Sequence, residues 1–206
     1  FLTSAFKDGM FEVQDASSQL IGKLLDVKEG LRVVDACAGA GGKTLHLAAL
    51  MQNKGQIIAL DIYGWKLTEL KRRAKRAGAH NIETRLIEDN KTIKRLHGTA
   101  DRLLIDAPCS GLGVLKRNPD SKWKIDQDFI DRIKKEQQQI LQDYCKIIKI
   151  GGKMLYATCS ILPSENTKQV HEFLKNNPDY SLLKEEKIMP SEGYDGFYMA
   201  LIERNS

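Results

Sequence analysis

No apolar run in this 206-residue chain approaches the roughly 20 residues that a transmembrane helix needs, so no membrane partner is expected. No signal-peptide pattern opens it either, and a cytoplasmic location is the expectation. Its four cysteines, Cys37, Cys109, Cys145 and Cys159, are scattered without a C-x-x-C pair. That spacing argues against a zinc ribbon or a disulfide framework, so no metal is expected and a reducing compartment is. There is no internal repeat, low-complexity tract or linker, which predicts one domain over residues 1–206. Phe1 opens the chain as mid-protein sequence, and that domain is expected to be a fragment of a longer protein. A monomer is expected.

Hydrophobic residues make up 42% and charged residues 29%, the balance of a globular domain large enough to bury a core. The net charge of +5 permits a nucleic-acid partner without demanding one. Hydrophobic patterning then predicts an α/β chain. Met10 to Asp15 alternates briefly, and Ser17 or Ser18 is placed to cap a helix through Leu20, Ile21, Leu24 and Leu25. Strands are predicted at Leu31 to Val34, Gln56 to Asp61, Glu83 to Ile87, Arg102 to Asp106 and Lys153 to Thr158. A helix of about Leu45 to Met51, a basic helix of about Lys66 to Ala77, a long helix of about Asp128 to Ile148 broken by Gly151-Gly152, and one from Pro163 to about Leu174 lie between or after them. Tyr180 to Leu183 and Phe197 to Ile202 read as a late hairpin-like pair. Alternating strands and helices imply a mainly parallel sheet.

Between the first strand and its helix runs Asp35-Ala36-Cys37-Ala38-Gly39-Ala40-Gly41-Gly42-Lys43-Thr44. Three glycines in four positions let backbone turn tightly and approach a ligand. A phosphate-cradling loop needs a glycine where Cys37 stands, so Gly42-Lys43-Thr44 completes only half of that motif. A dinucleotide fingerprint fits Gly39 and Gly41 but meets Thr44 at its third glycine. S-adenosylmethionine is the third option, since its amino-acid end and adenosine need backbone contacts without a pyrophosphate.

Asp61 closes the second strand about 20 residues on, where a carboxylate can accept from ribose hydroxyls. Asp89 is expected at the end of the third strand, facing an adenine edge. Singly, each acid reads as a solvated strand terminus. Asp35, Asp61, Asp89 and Asp106 together, at or near four strand ends, mark one edge of the sheet. Cys109 follows Asp106-Ala107-Pro108, and Cys159 follows Thr158, which brings two thiols towards that edge. Cys145, on the long helix, reads as packing.

These motifs, with Arg117-Asn118-Pro119-Asp120, Trp123, Gln14-Asp15 and Asp195-Gly196-Phe197-Tyr198, resemble the Nol/Nop/Sun family of RNA (cytosine-5) methyltransferases of the bacterial ribosomal RNA type over nearly the whole chain. The resemblance implies a Rossmann-like class I methyltransferase fold with a mainly parallel seven-stranded sheet and helices on both faces. It implies S-adenosylmethionine held by Cys37, Ala38, Gly39, Ala40, Gly41, Gly42, Lys43, Asp61, Asp89 and Asp106. It implies Cys159 as the nucleophile and Cys109 as the thiol that helps release product. The family loop usually reads Ala-Ala-Pro-Gly-Gly-Lys; here Gly39-Ala40 replaces Ala-Pro, which frees φ and is expected to soften the loop.

Carbon 5 of cytosine is a poor nucleophile until a thiolate adds to carbon 6, and Cys159 needs a polar or positive environment to ionise. Lys43 is placed to supply that field, and Asp106 to bond the base at its amino group and N3. RNA must enter with an unstacked base. Lys116, Arg117, Lys122 and Lys124, interleaved with Trp123, are the candidate RNA contacts. Ribosomal RNA is the expected substrate and transfer RNA the alternative. A fold-retaining RNA-binding module without catalysis and a nicotinamide-dependent oxidoreductase are the readings from other classes.

Overall fold

The computed structural model describes residues 2–206, and Phe1 lies outside the described residues. Among the described residues, α-helices and strands run in the order α1 (Ser4–Lys7), α2 (Ala16–Leu24), β1 (Arg32–Asp35), α3 (Gly42–Leu50), β2 (Gln56–Asp61), α4 (Gly64–Arg76), β3 (Ile82–Leu86), α5 (Asn90–Lys94), β4 (Ala100–Asp106), α6 (Ser121–Lys124), α7 (Gln127–Tyr144), β5 (Ile148–Thr158), α8 (Thr167–Asn176), β6 (Tyr180–Ile188) and β7 (Phe197–Arg204). The strands form one seven-stranded sheet ordered β3-β2-β1-β4-β5-β7-β6. All neighbours pair in parallel except β7, which is antiparallel to both β5 and β6. The expected mainly parallel sheet is therefore the one observed, with the late hairpin inserted so that β7 covers β5.

Successive side chains point to opposite faces of the sheet, and the central strands are buried at consecutive positions because helices cover both faces. On one face Val34, Ile58, Leu103, Ile105, Met154, Tyr156, Tyr198 and Ala200 pack with Leu141, Val170 and Phe173 from α7 and α8. On the other, Val33, Ile57, Leu104, Leu155, Phe197 and Met199 pack with Ile21 from α2 and Leu47 from α3. Leu67, Leu70 and Ala74 carry α4 onto Ala38 and Ala59 in a third cluster. The chain order of the parallel strands switches between β1 and β4, where the loops that follow them diverge and leave a crevice at the carboxyl edge.

Several expected boundaries move, each for a local reason. Asp15, not Ser17 or Ser18, caps α2; its carboxylate accepts the Ser17 N–H at 2.9 Å. Met10 to Asp15 forms no strand. Helix α7 stops at Tyr144, because Cys145–Ile147 tighten into a 3₁₀ turn and Ile148 already pairs with Ala100 in the sheet. Gly151-Gly152 then lies inside β5 at a bulge rather than at a helix end. Helix α8 begins at Thr167 rather than Pro163, after a turn that buries Glu165 and Asn166 completely. Strand β3 ends at Leu86, so Asp89 does not close it but caps α5, accepting the Lys91 N–H at 2.8 Å. Cys145 is buried as expected for a packing residue. Among the described residues no helix is long and apolar enough to cross a membrane.

The α8 face rests on Phe173, which is fully buried and meets the Tyr180 ring edge-on at 5.2 Å. Phe173→Ala is expected to cost about 3–5 kcal/mol of stability without moving the cleft. Urea unfolding, read by circular dichroism, checks it.

Candidate functional site

At the crevice, β1 delivers Asp35 and β4 delivers Asp106, and the glycine loop closes the gap to α3. The loop is fastened at several points. Ala38 N–H donates to the Leu60 carbonyl (2.8 Å), and Gly39 N–H donates to Asp61 Oδ2 (2.9 Å). Gly41 adopts φ +89°, and a Cβ there would sit 2.5 Å from Leu70 Cγ, so only glycine lets α4 pack against the loop. Arg73 donates from Nη1 to the Ala40 carbonyl (2.8 Å) and from Nη2 to Glu12 (3.0 Å), while Arg76 also pairs with Glu12. The softening expected from Gly39-Ala40 thus meets a brace that ties the loop to α4 and to residue 12.

A cleft of about 590 Å³ opens over this loop, within the range of small-molecule sites. Cys37, Gly39, Lys43, Asp61, Asp106, Cys109 and Cys159 all line it. A smaller neighbouring cavity of about 250 Å³ is bordered by Ala38, Ala40 and Gly42 together with Lys43 and Asp106. A Cβ built on Gly39 would meet nothing within 4 Å, so the absent side chain leaves open cleft. Asp61 is nearly buried, and its second oxygen accepts the Tyr63 N–H at 2.8 Å, which aims the carboxylate into the cleft wall. Asp89, in contrast, stands outside the lining, half exposed. Ile62, Tyr63, Ile87, Ile140 and Tyr144 supply apolar walls that the sequence reading did not assign to a site. The stripe Ile133, Ile140 and Tyr144 looks like ordinary core on a helical wheel. Only the placement of α7 across the sheet edge turns it to the cleft.

Lys43, in the first turn of α3, forms an ion pair with Asp106 at 2.6 Å. Burial pulls the ammonium pKa down, but Asp106 more than offsets this, and the net shift is upward, so the lysine stays charged. Its Nζ also lies 5.6 Å from the Phe197 ring centre. Asp35 is fully buried behind this pair, accepts the Thr44 hydroxyl at Oδ2 (2.7 Å), and among the described residues has no hydrogen-bond partner at Oδ1. Burial pushes its carboxyl up to about 7, against the Thr44 bond and with help from the nearby Asp106 charge.

The two thiols meet: Cys109 Sγ and Cys159 Sγ are 3.3 Å apart. Either sulfur can donate in this contact; a bond given by Cys109, with the Lys43 charge, lowers the Cys159 pKa despite burial and the opposing Asp106 charge. The same bond and burial hold the Cys109 proton in place. The sheet sets this meeting, because Asp106 on β4 is in register with Ala157 on β5.

The basic loop leaves from the same point. Gly113 N–H donates to the Cys159 carbonyl (2.9 Å), and a Cβ on Gly113 would lie 2.1 Å from the Gly196 carbonyl oxygen, an approach only glycine allows. Lys116, Lys122 and Lys124 are exposed, as is Trp123 at 80%, with the Lys122 ammonium 4.8 Å from its ring centre. Arg117 is exposed as well, and its Nε donates to buried Asp195 (2.6 Å), which ties the loop to the segment before β7. None of these five residues lines the cleft itself. Among the described residues no group of three or more His, Cys, Asp and Glu is arranged to hold a metal ion.

Known proteins share this arrangement of sequence and fold. The family described as 16S rRNA methyltransferase RsmB/F matches residues 22–203. A probable ribosomal RNA small subunit methyltransferase B from Bacillus subtilis is 37% identical over 92% of the chain and 43% of its own length. A ribosomal RNA small subunit methyltransferase B from Pasteurella multocida is 36% identical over 97% of the chain and 48% of its own length. The solved structure of NSun6 from Pyrococcus horikoshii with SFG superposes with a TM-score of 0.90 at 28% identity, over 100% of this chain and 56% of that one. The chain spans less than half the length of the two curated relatives.

The raised Asp35 pKa has a stability consequence whose sign is set by linkage. An acid that prefers its proton in the folded state contributes most below its ordinary value of 3.8, and the contribution is lost as pH rises through about 7. Asp35→Asn is expected to flatten the fall in stability across that window. Urea midpoints measured from about pH 4 to 8 check it, and an unchanged slope would exclude Asp35 as the cause.

Proposed function

Because the chain belongs to the 16S rRNA methyltransferase RsmB/F family, we propose that it methylates carbon 5 of a cytosine in ribosomal RNA, using S-adenosylmethionine and Cys159 as the nucleophile. The observation that carries this reading is the pair of cleft thiols 3.3 Å apart, one with a lowered pKa, beside the Lys43–Asp106 ion pair. Hydride transfer to or from a nicotinamide needs no pair of thiols, and neither does a binding module. A ribosomal RNA substrate supports a cytoplasmic location.

The cleft suits the methyl donor on its own evidence. Gly39 leaves room for a ligand against backbone, Asp61 presents a fixed carboxylate suited to ribose hydroxyls, and Ile62 and Ile87 offer apolar faces suited to a purine. The related NSun6 structure carries SFG, an analogue of S-adenosylmethionine. When bound, S-adenosylmethionine supplies an electrophilic methyl group on a sulfonium. Everything else is work for this chain's residues.

Cys159 adds its thiolate to carbon 6 of the cytosine, forming an S–C6 bond and loading electron density on carbon 5. Asp106 and Lys43 face the ring and support the charge that moves through N3 and the amino group. Carbon 5 then takes the methyl group, loses its proton to a base, and the S–C6 bond breaks. Cys109, which holds its proton, donates to the departing Cys159 sulfur and favours that cleavage. The exposed lysines and Trp123 of the loop beside Cys159 suit the phosphates and an unstacked base of the entering RNA.

Cys159→Ala is expected to abolish methyl transfer in a labelled-donor assay while donor affinity stays within about twofold; wild-type turnover would sink the reading. Cys109→Ala is expected to accumulate a protein–RNA adduct that survives denaturing electrophoresis, and a gel without a shifted band would count against its release role. Arg73→Ala removes the brace on the Ala40 carbonyl and is expected to weaken donor binding about tenfold by calorimetry. Unchanged affinity would show that the loop holds its shape unaided.

A further inference from the structure

A carboxylate sealed from water without a cation beside it is costly, and this fold keeps one where the two thiol loops meet. Glu165 has no solvent exposure and enters none of the ion pairs found among the described residues. Its Oε2 accepts the Ser110 N–H (2.7 Å) and the Gln137 amide (3.3 Å), and its Oε1 accepts the Ser160 hydroxyl (2.7 Å). Ser110 follows Cys109 and Ser160 follows Cys159, so one carboxylate holds the residue next to each thiol. Gln137 extends the grip backwards by donating to the Pro108 carbonyl (2.9 Å). Asn166, the next residue, accepts the Thr158 hydroxyl (2.5 Å) and donates to the Ser160 carbonyl (2.8 Å). Each cysteine is therefore fixed on both sides.

We propose that Glu165 is a positioning residue that clamps the loops after β4 and β5 together and so sets the contact between Cys109 and Cys159. The proposal rests on the reading of Cys159 as nucleophile and adds how its thiolate is prepared. The sheet holds β4 and β5 in register only as far as Asp106 and Ala157. Beyond that the loops are free to splay, and about 1 Å of splay is enough to spoil a hydrogen bond. Only a carboxylate offers two acceptor oxygens for donors arriving from both loops; an amide has one and turns its NH₂ group towards a donor. Because Cys109 Sγ is the hydrogen-bond partner of Cys159 Sγ at 3.3 Å, the clamp acts on Cys159 through Cys109.

The test is the pH profile of Cys159 alkylation by iodoacetamide in the full chain, read by mass spectrometry of the Cys159 peptide. Glu165→Ala is expected to raise the midpoint by about one pH unit, which slows alkylation at pH 7 about tenfold. Glu165→Gln keeps the length and one acceptor oxygen and is expected to recover part of that loss. In a Cys109→Ala background, Glu165→Ala is expected to add no further shift. Should Glu165→Ala fail to fold by circular dichroism, Ser160→Ala removes one arm of the clamp and is expected to move the midpoint in the same direction by less. An unmoved midpoint in whichever variant folds overturns the proposal. So does an additive shift in the double variant, or a wild-type midpoint no lower than that of Cys109→Ala. Alkylation needs neither RNA nor methyl donor, so wild-type protein that fails to methylate RNA sinks the proposed function while this measurement stays readable.

Discussion

The parallel register between β4 and β5 is the constraint on which the site depends. It places Asp106 opposite Ala157, so the loops that follow leave the sheet side by side and carry Cys109 and Cys159 into contact. Neither thiol has a useful environment alone. Cys109 gains a fixed proton and Cys159 a donor only because fifty residues of chain, including all of α7, return to the adjacent strand. The right-handed crossover that makes this return short is the default for parallel strands.

Around that contact the protein keeps an unusual amount of buried polarity. Asp35, Glu165, Asn166, Gln137 and Thr158 are all sealed from water at the carboxyl edge of the sheet. A fold selected for stability alone gains little from such groups, since an apolar residue of similar volume is cheaper. Here they do geometric work. Thr44 and Asp35 join the start of α3 to the end of β1, and the Glu165 bonds join the two thiol loops. The polar interior is concentrated where position matters and is nearly absent from the middle of the sheet.

The cofactor loop follows the same economy. Its tight turn is internal, carried by Gly39 and Gly41, while its rigidity is external, carried by Asp61 below and Arg73 beside it. Ala40 has no ring to fix its φ, and the Arg73 guanidinium holds its carbonyl instead. An ion pair to Glu12 then couples the loop to the segment before α2, so the N-terminal residues contribute to the site without lining the main cleft.

The strand ends and their chemistry were legible in the sequence, because a buried parallel strand is a short apolar run and its last residue is where polarity returns. Asp35, Asp61 and Asp106 followed from that pattern, as did the adjacency of Cys109 and Cys159. Asp89 did not follow, because β3 is half-exposed and its weak apolar pattern placed its end too late. The end of α7 is not legible, because the apolar residues Ile147 and Ile148 suit a helix as well as a sheet, and only the pairing of Ile148 with β4 decides between them. Glu165 gave no signal at all: a glutamate in a polar turn is ordinarily solvated, and nothing local marks this one as buried. Its role, like those of Arg73, Arg117 and Tyr144, arises from partners tens of residues away. Local patterning decides which residues reach the edge of the sheet; long-range packing decides which of them touch, because contact distance is set by the whole fold and written in no single stretch of it.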